Sequence, residues 1–260
     1  MQPAETECYV ALGGNVGPVA KTFQQALELL QGAPEVCVGR SSGLYQTSPV
    51  GPRRQKPLGS RGTYLNAVVQ LWTTQLPESL LHRLLDIEAR LGRSRSGPWQ
   101  PRPIDLDLIL YGSQVIRTEE LIVPHPACWY RRFVLDPLSE IAADLVHPVK
   151  RRTIADLRER LLRRPFRCAL VSADHGQARR VAEQLAPEFP DVQFPLLAEE
   201  DPTRVDAELV VCWTKEPPVD LHAPDRAHPD ALFAPTELDA AIEFVRTVLQ
   251  SALGQCVRVS

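Results

Sequence analysis

The sequence lacks the cysteine patterns that bind zinc or carry out redox chemistry. Its six cysteines are scattered along 260 residues, with no Cys-x-x-Cys pair and no cluster of cysteine with histidine. Zinc sites and redox dithiols need closely spaced ligands, so neither is expected. Four of the cysteines lie in apolar runs, where a thiol behaves as a small hydrophobic side chain: Cys8, Cys37, Cys168 and Cys212.

Three further absences narrow the class of protein. The formal net charge is only −3, which argues against a general binder of nucleic acid or membrane surfaces. No apolar run approaches the length of a membrane span, and the acidic residues 1–7 have no apolar core of the kind that a secretory signal needs. We therefore expect a cytoplasmic protein with no nucleic-acid or membrane partner.

The usual glycine-rich phosphate motifs are also missing. The segment Gly13-Gly-Asn-Val-Gly17 matches neither the dinucleotide fingerprint nor the P-loop pattern. It follows a short apolar run and precedes apolar residues at helical spacing. We expect a tight turn from a strand into a helix.

What the sequence does contain is an alternation of strand and helix patterns in its first half. Apolar side chains at every second position predict strands, and apolar side chains three and four residues apart predict helices. The expected strands cover residues 8–12, 36–46, 64–72 and 104–110, and helices follow Pro18 and Pro77. This βαββαβ order predicts an α+β fold, a ferredoxin-like sandwich of helices on an antiparallel sheet.

The pattern changes after Pro165, which follows a basic helical segment at residues 150–164. Strands are expected at residues 167–172 and 208–213, and helices at 176–185 and 238–253. We therefore predict two domains, residues 1–164 and a small α/β domain of unknown role at residues 165–260. The oligomeric state is left open.

Two acids in the last strand of the first domain form the first candidate site. On a strand, Asp105 and Asp107 point to the same face about 7 Å apart. Two buried carboxylates this close need a cation, and Mg²⁺ is often held by one or two carboxylates together with substrate phosphates. The alternative is an exposed strand edge that carries two acids.

Basic side chains flank this acid pair in the sequence. Arg93, Arg95 and Arg102 precede it and Arg131 follows, and a guanidinium group can bind two phosphate oxygens at once. His125 lies between two prolines, where phosphate contact or proton donation to a leaving group is plausible. Each arginine taken alone could equally be a solvated surface charge, and the histidine could be structural.

Aromatic and amide side chains near the same segments could bind a flat heterocycle. The candidates are Tyr64, Asn66, Trp99 and Phe133. The alternative is that Tyr64 and Phe133 belong to the core.

Taken together, these residues resemble the 6-hydroxymethyl-7,8-dihydropterin pyrophosphokinase family of folate biosynthesis, over about residues 9–148. Six ordered blocks carry the resemblance: Ala11-Leu-Gly-Gly-Asn15, Tyr45-Gln-Thr-Ser-Pro49, Tyr64-Leu-Asn66, Ile87-Glu88 with Gly92-Arg93, Trp99-Gln-Pro-Arg102-Pro-Ile-Asp105-Leu-Asp107, and Val123-Pro-His125 with Arg131-x-Phe133. The resemblance implies transfer of diphosphate from ATP to the pterin hydroxymethyl group, with release of AMP.

The resemblance also implies a role for each site residue. Asp105 and Asp107 would hold two Mg²⁺ ions and, with Arg93 and Arg102, form the catalytic group. The nucleotide would be bound by Glu88, Arg93, Arg95, Trp99, Arg102, Leu108, His125 and Arg131. The pterin pocket would comprise Thr47, Val50 through its backbone, Tyr64, Asn66, Trp99 and Phe133. Two alternatives remain: another nucleotide-dependent transferase, or a pterin- or nucleotide-binding protein without turnover whose second domain contacts a partner.

Overall fold

A computed structural model describes residues 5–51, 63–93, 101–197, 206–213 and 231–259. The chain forms two compact units, Met1–Arg158 together with Gly254–Ser260, and Glu159–Leu253. This division differs from the predicted boundary before Pro165, because the dividing point falls inside a helix that ends before that proline. The return of the chain to the first unit was not expected from the sequence.

The first unit contains the expected strands and helices, with additions. Its strands are β1 Thr6–Gly14, β2 Val36–Ser41, β3 Leu44–Thr47, β4 Tyr64–Thr73, β5 Asp105–Tyr111, β6 Ile116–Arg117, β7 Ile122–Val123 and, from the end of the sequence, β13 Cys256–Val259. Its helices are α1 Val19–Gln31, α2 Pro77–Arg90 and α3 Arg132–Ala142, and α4 Ile154–Leu162 crosses into the second unit.

The main sheet is antiparallel throughout, in the order β13-β3-β4-β1-β5, and β2 also pairs with β4. The predicted mixture of helices and antiparallel sheet is therefore confirmed. The single strand expected at residues 36–46 is two strands, because the ladder breaks at Ser42 and Gly43. There the Ser42 amide donates to the Val68 carbonyl (2.9 Å) and the Ser42 hydroxyl accepts from the Val68 amide (3.0 Å).

The two faces of the sheet have different roles. One face carries the alternate residues of β1 and β4 that pack with α1 and α2 in a single apolar core, which includes Val10, Phe23, Val69 and Leu84. Pro18 and Pro77 stand at the starts of these two helices, where a missing backbone N–H costs no hydrogen bond. The opposite face lies partly under α3, which packs against β3, β4 and β13.

The helix expected at residues 150–164 is shorter than predicted and begins only at Ile154. Thr153 caps it, because its hydroxyl accepts from the Asp156 amide (3.0 Å) and the Asp156 carboxylate accepts from the Thr153 amide (3.2 Å). The residues before Thr153 instead make a turn around His147.

The second unit is built on parallel strands. They are β8 Phe166–Ser172, β9 Val192–Gln193, β10 Leu196–Leu197, β11 Leu209–Trp213 and β12 Ala231–Phe233, and the helices are α5 His175–Leu185 and α6 Leu238–Leu253. The strand order is β10-β8-β11-β12, with β9 also paired to β8. Within the described ranges of the chain, no helix has the length and apolar character needed to cross a membrane.

Candidate functional site

The acid pair lies on the sheet face opposite the α1–α2 core. Asp105 is opposite Gly13 of β1 and Asp107 is opposite Ala11, whereas Leu106 and Leu108 alternate with them and are buried in the core. The register therefore puts both carboxylates on one face. It also explains why an apolar-rich strand carries acids at every second position.

A row of residues crosses this face from β4 to β5. Asn66 is opposite Gly13 on one side, and Asp105 is opposite Gly13 on the other. A Cβ atom at Gly13 would lie 3.7 Å from Asn66 Oδ1 and 3.8 Å from Asp105 Cβ. Because Gly13 has no side chain, it leaves an open floor, an uncovered part of the sheet surface, between the Asn66 amide and the Asp105 carboxylate. The backbones of these two residues are about 10 Å apart, two strand spacings.

Asp105 is held by two arginines. Arg93 Nη1 contacts both Asp105 Oδ1 and Glu88 Oε1, and Arg102 Nη2 lies 3.0 Å from Asp105 Oδ2. Glu88 is 2% exposed, and its Oε1 also accepts from the Leu106 amide (2.7 Å). Glu88 thus anchors Arg93 to the strand that carries the acids.

Burial affects both carboxylates of this cluster. It raises the pKa of Glu88, and burial together with the Asp107 charge raises the pKa of Asp105 despite the neighbouring arginines. A cation near Asp105 and Asp107 would relieve this repulsion.

Asn15 belongs to the same region, although the sequence motif gave it no role. Its side-chain oxygen Oδ1 accepts from the Arg102 backbone amide (2.9 Å), and its backbone amide donates to the Arg102 carbonyl (3.1 Å). At the preceding Gly14, a Cβ atom would lie 2.6 Å from the Pro103 carbonyl oxygen, so only glycine allows this approach. The turn after β1 thereby fixes the backbone that presents Arg102.

His125 lies beside the acid strand, because its amide donates to the Ile109 carbonyl (2.9 Å). Its Nδ1 accepts from the Ala127 amide (3.2 Å), which assigns the proton of the neutral ring to Nε2. Burial, followed by the nearby Arg131 charge, lowers the pKa of His125 to about 4. The ring is therefore a neutral hydrogen-bond donor at pH 7.

Arg131 stands just before α3, and its guanidinium lies 5.5 Å from the centre of the Phe133 ring. Two arginines near the acid pair have a buried Nε with no hydrogen-bond partner among the described residues: Arg102 and Arg131. Buried guanidinium N–H groups normally find an acceptor. Within the described part of the chain, these two Nε–H groups are donors whose hydrogen bonds an anionic ligand could complete.

The residues predicted for the pterin lie at the other end of the face. Asn66 Nδ2 donates to Thr47 Oγ1 (2.9 Å), and both side chains are buried. Tyr64 is opposite Thr47 in the β3–β4 ladder, and Val50 follows β3 and is half-buried. The sheet register therefore brings Thr47, Tyr64 and Asn66 together.

Three predicted residues stand apart from this arrangement. Leu108 is paired with Val10 and packs in the core, so any contact with nucleotide would have to come from its backbone. Arg95 and Trp99 lie outside the described residues.

Among the residues that the structure describes, no group of three or more histidine, cysteine, aspartate or glutamate side chains could hold a metal ion. Asp105 and Asp107 are only two carboxylates, a number that suits Mg²⁺, because this ion is commonly held by one or two carboxylates plus substrate phosphates. The donor set therefore fits a metal ion that arrives with a phosphate ligand.

Comparison with known proteins connects this geometry to a family. The family model described as 7,8-dihydro-6-hydroxymethylpterin-pyrophosphokinase (HPPK) matches residues 9–143. The 2-amino-4-hydroxy-6-hydroxymethyldihydropteridine pyrophosphokinase of Synechocystis sp. is 41% identical over 152 residues, which cover 58% of this chain and 74% of that protein.

Two proteins that carry the same name are similarly close. The Bacillus subtilis protein is 42% identical over 133 residues, covering 51% of this chain and 76% of that protein. The Aquifex aeolicus protein is 35% identical over 162 residues, which cover 62% of this chain and 96% of that protein. The chain belongs to the 7,8-dihydro-6-hydroxymethylpterin-pyrophosphokinase family.

Proposed function

We infer that this chain transfers diphosphate from ATP to 6-hydroxymethyl-7,8-dihydropterin in folate biosynthesis, releasing AMP. One structural relationship carries the assignment. Asn66 and Asp105 lie in one row with Gly13 open between them, so an amide able to read a heterocycle faces a carboxylate surrounded by arginines. Such a face suits a flat substrate at one end and a polyphosphate at the other.

The pterin end is assigned to the side chains near β3 and β4. Asn66 would read the edge of the ring, with its orientation held by Thr47. Tyr64 and Phe133 would supply aromatic surface, and Val50 would contribute its backbone. Trp99, outside the described residues, stays a predicted contact of both substrates.

The nucleotide end is assigned to the basic side chains around β5. Arg93, Arg102 and Arg131 would bind the triphosphate, with Arg95 as a further predicted contact. His125 would donate its Nε2 proton to a phosphate oxygen without carrying a charge itself. Glu88 acts through Arg93 and is a positioning residue in this assignment.

Asp105 and Asp107 would hold Mg²⁺, and the family resemblance implies two ions. When bound, such ions offset phosphate charge and keep the transferred group in line with its acceptor.

The reaction joins the hydroxymethyl oxygen of the pterin to the β-phosphorus of ATP. The bond from the β-phosphorus to the oxygen that bridges the α- and β-phosphates breaks and leaves its electron pair on AMP, and the hydroxyl proton is released to water. The described side chains contribute by holding the two substrates in one geometry and by placing positive charge beside the phosphates. These are the main sources of rate enhancement in phosphoryl-type transfer.

We also assign the first unit to the ferredoxin-like class, on the order of its strands. Across the sheet, the strands of the βαββαβ core lie in the order β5-β1-β4, followed by β2 and β3, which both pair with β4, and both helices pack on one face. This is the arrangement that we assign to a ferredoxin-like sandwich. The second unit receives no activity in this proposal.

The test is AMP formation by the purified full chain with ATP, Mg²⁺ and hydroxymethyldihydropterin. AMP should appear only when all three are present, and the pterin should gain two phosphates. Hydrolysis of ATP without pterin would instead indicate a different nucleotide-dependent transferase or hydrolase. Binding of both substrates without AMP would favour the binding protein that lacks turnover.

A further inference from the structure

We propose that Arg258, in β13, is a positioning residue for β3 and thereby for the pterin end of the site. The proposal rests on the proposed function for the identity of that ligand. Its structural basis is a strand from the far end of the sequence that joins the sheet next to Thr47. The predicted first domain, residues 1–164, does not include this strand, which lies at Cys256–Val259.

The sheet register connects β13 to the pterin residues through β3 alone. Cys256 is opposite Thr47, which is opposite Tyr64 of β4. Two residues further along β13, Arg258 is opposite Tyr45, which is opposite Asn66 of β4. Directly opposed residues share a face of the sheet, so β13 supports β3 on the side away from β4.

One carboxylate on α3 ties the two strands together. Glu140 Oε1 accepts from Arg258 Nη2 (2.8 Å), while its Oε2 accepts from the Tyr45 hydroxyl (2.9 Å) and from the Gly43 amide (3.1 Å). The same helix carries Phe133 near its start. Glu140 therefore fixes the position of β3 relative to Phe133, and Arg258 is the cation that balances its charge.

The backbone before β3 is shaped to receive Arg258. A Cβ atom at Gly43 would lie 2.6 Å from Arg258 Nε and 3.2 Å from its Nη2. The guanidinium therefore occupies space that any other residue at position 43 would fill. This close approach places the arginine directly against the turn that leads into Leu44 and the rest of β3.

Cys256 provides a second attachment on the same strand. Burial, followed by the charge of Asp136, raises the pKa of the Cys256 thiol to about 12, so the thiol stays protonated beside that carboxylate. Asp136 is itself buried and held by Arg132 (2.8 Å) and Arg158 (2.7 Å). Arg258 and Cys256, the two β13 side chains on this face, thus each lie beside a carboxylate of α3, Glu140 and Asp136 respectively.

The Arg258 side chain is 64% exposed, and an exposed ion pair contributes little to global stability. We therefore expect its loss to change local geometry more than folding. This separates a positioning role from a merely structural one. The affected quantity should be pterin affinity, with ATP affinity as the internal comparison.

The experiment compares the full chain with Arg258→Gln, Arg258→Lys and the control Val257→Thr. Val257 is the neighbour on the other face of β13 and is 57% exposed. For Arg258→Gln, we expect the pterin KM and the pterin Kd from its fluorescence to rise about two- to fivefold, the range that one exposed ion pair supplies. The KM for ATP and the melting temperature should stay near wild type, and Arg258→Lys should recover part of the loss.

The proposal is overturned if Arg258→Gln binds pterin like wild type, if both KM values rise equally, or if the loss follows the melting temperature. Glu140→Gln should reproduce the selective effect. The double variant should add little to Glu140→Gln alone, because Glu140→Gln already removes the carboxylate charge that Arg258 contacts. A wild-type chain that binds pterin but forms no AMP would overturn the turnover only. A wild-type chain that binds no pterin would overturn both proposals.

Discussion

Asn15 and Arg102 hold each other through two hydrogen bonds, one in each direction, between the turn after β1 and the segment before β5. The side-chain oxygen of Asn15 accepts from the Arg102 backbone amide, and the backbone amide of Asn15 donates to the Arg102 carbonyl. A backbone pinned at both of its polar groups has little freedom to move. The guanidinium that reaches Asp105 therefore starts from a fixed point.

Asn15→Ala should impair the reaction more than the fold. Removing the acceptor leaves the Arg102 amide without its partner and frees the segment that presents the guanidinium. Because small displacements of a positioned group are costly, we expect kcat/KM to fall at least about tenfold, with the secondary structure unchanged by circular dichroism. Steady-state AMP formation measures the effect.

Asn15→Asp retains an oxygen acceptor and is the matched comparison. It should keep more activity than Asn15→Ala, and Val16→Thr, at the exposed neighbouring position, should behave as wild type. Equal losses in the Ala and Asp variants would show that the hydrogen bond to Arg102 is not what matters.

Asp107→Asn should abolish turnover without unfolding the chain. It removes one of the two carboxylates assigned to Mg²⁺, and we expect AMP formation to fall by more than about 100-fold, beyond the loss typical of outer-shell changes at metal sites. The Asp107 charge contributes to the raised pKa of Asp105. Its removal should lower that pKa and leave the melting temperature equal or higher.

Asp144→Asn tests whether any lost aspartate has this effect, since Asp144 is exposed at the end of α3. It should retain wild-type turnover. An Asp107→Asn variant with half of the wild-type rate would contradict the metal assignment.

Gly13→Ala should fold and yet bind substrate poorly. The added methyl group would meet Asn66 Oδ1 and Asp105 Cβ at ordinary contact distances, so the sheet can hold it, but it would fill the open floor between them. We expect a several-fold rise in the pterin KM, with a melting temperature near that of wild type.

Gly32→Ala is a matched control, because its Cβ atom would also meet its neighbours at ordinary distances, 3.5 Å and beyond, away from the site. Gly14→Ala should instead destabilise the fold, since its Cβ would lie 2.6 Å from the Pro103 carbonyl oxygen. A Gly13→Ala variant with wild-type KM values would remove the functional reason for the glycine.

The sequence predicts those site residues whose positions follow from the local alternation of polar and apolar side chains. Asp105 and Asp107 alternate with apolar residues, and this spacing alone puts them on one face of a strand. The arginines were found by proximity in sequence. Pro18 and Pro77 likewise marked the starts of α1 and α2.

The contacts that could not be predicted join residues far apart in the chain. The sequence around Arg258 does not indicate that this residue pairs with Glu140. The four residues of β13 are too few to show a strand pattern. The helix α3 was not recognised, since Pro137 within it is normally a helix breaker. Leu108 was assigned to the nucleotide, although the same alternation that exposes Asp107 turns its side chain into the core.

His125 links the stability of the chain to pH. Its pKa is lowered to about 4 in the folded protein, whereas the unfolded chain binds the proton at the ordinary value of 6.5. Protons therefore favour the unfolded state as the pH falls from about 6.5 towards 4, and stability is lost over that window, by about 2–3 kcal/mol at pH 4.5. At pH values well above 6.5 the group has no effect, because it is neutral in both states.

NMR titration of the histidine Cε1–Hε1 signals measures the pKa directly, and His125→Asn identifies the signal. The same variant should lose less unfolding free energy than wild type between pH 7 and pH 4.5 in urea titrations. Bound ATP should raise the pKa, because the triphosphate favours the charged ring. A His125 signal that titrates near 6.5 in the free protein would contradict the buried, neutral donor on which the assignment of this residue to the phosphates depends.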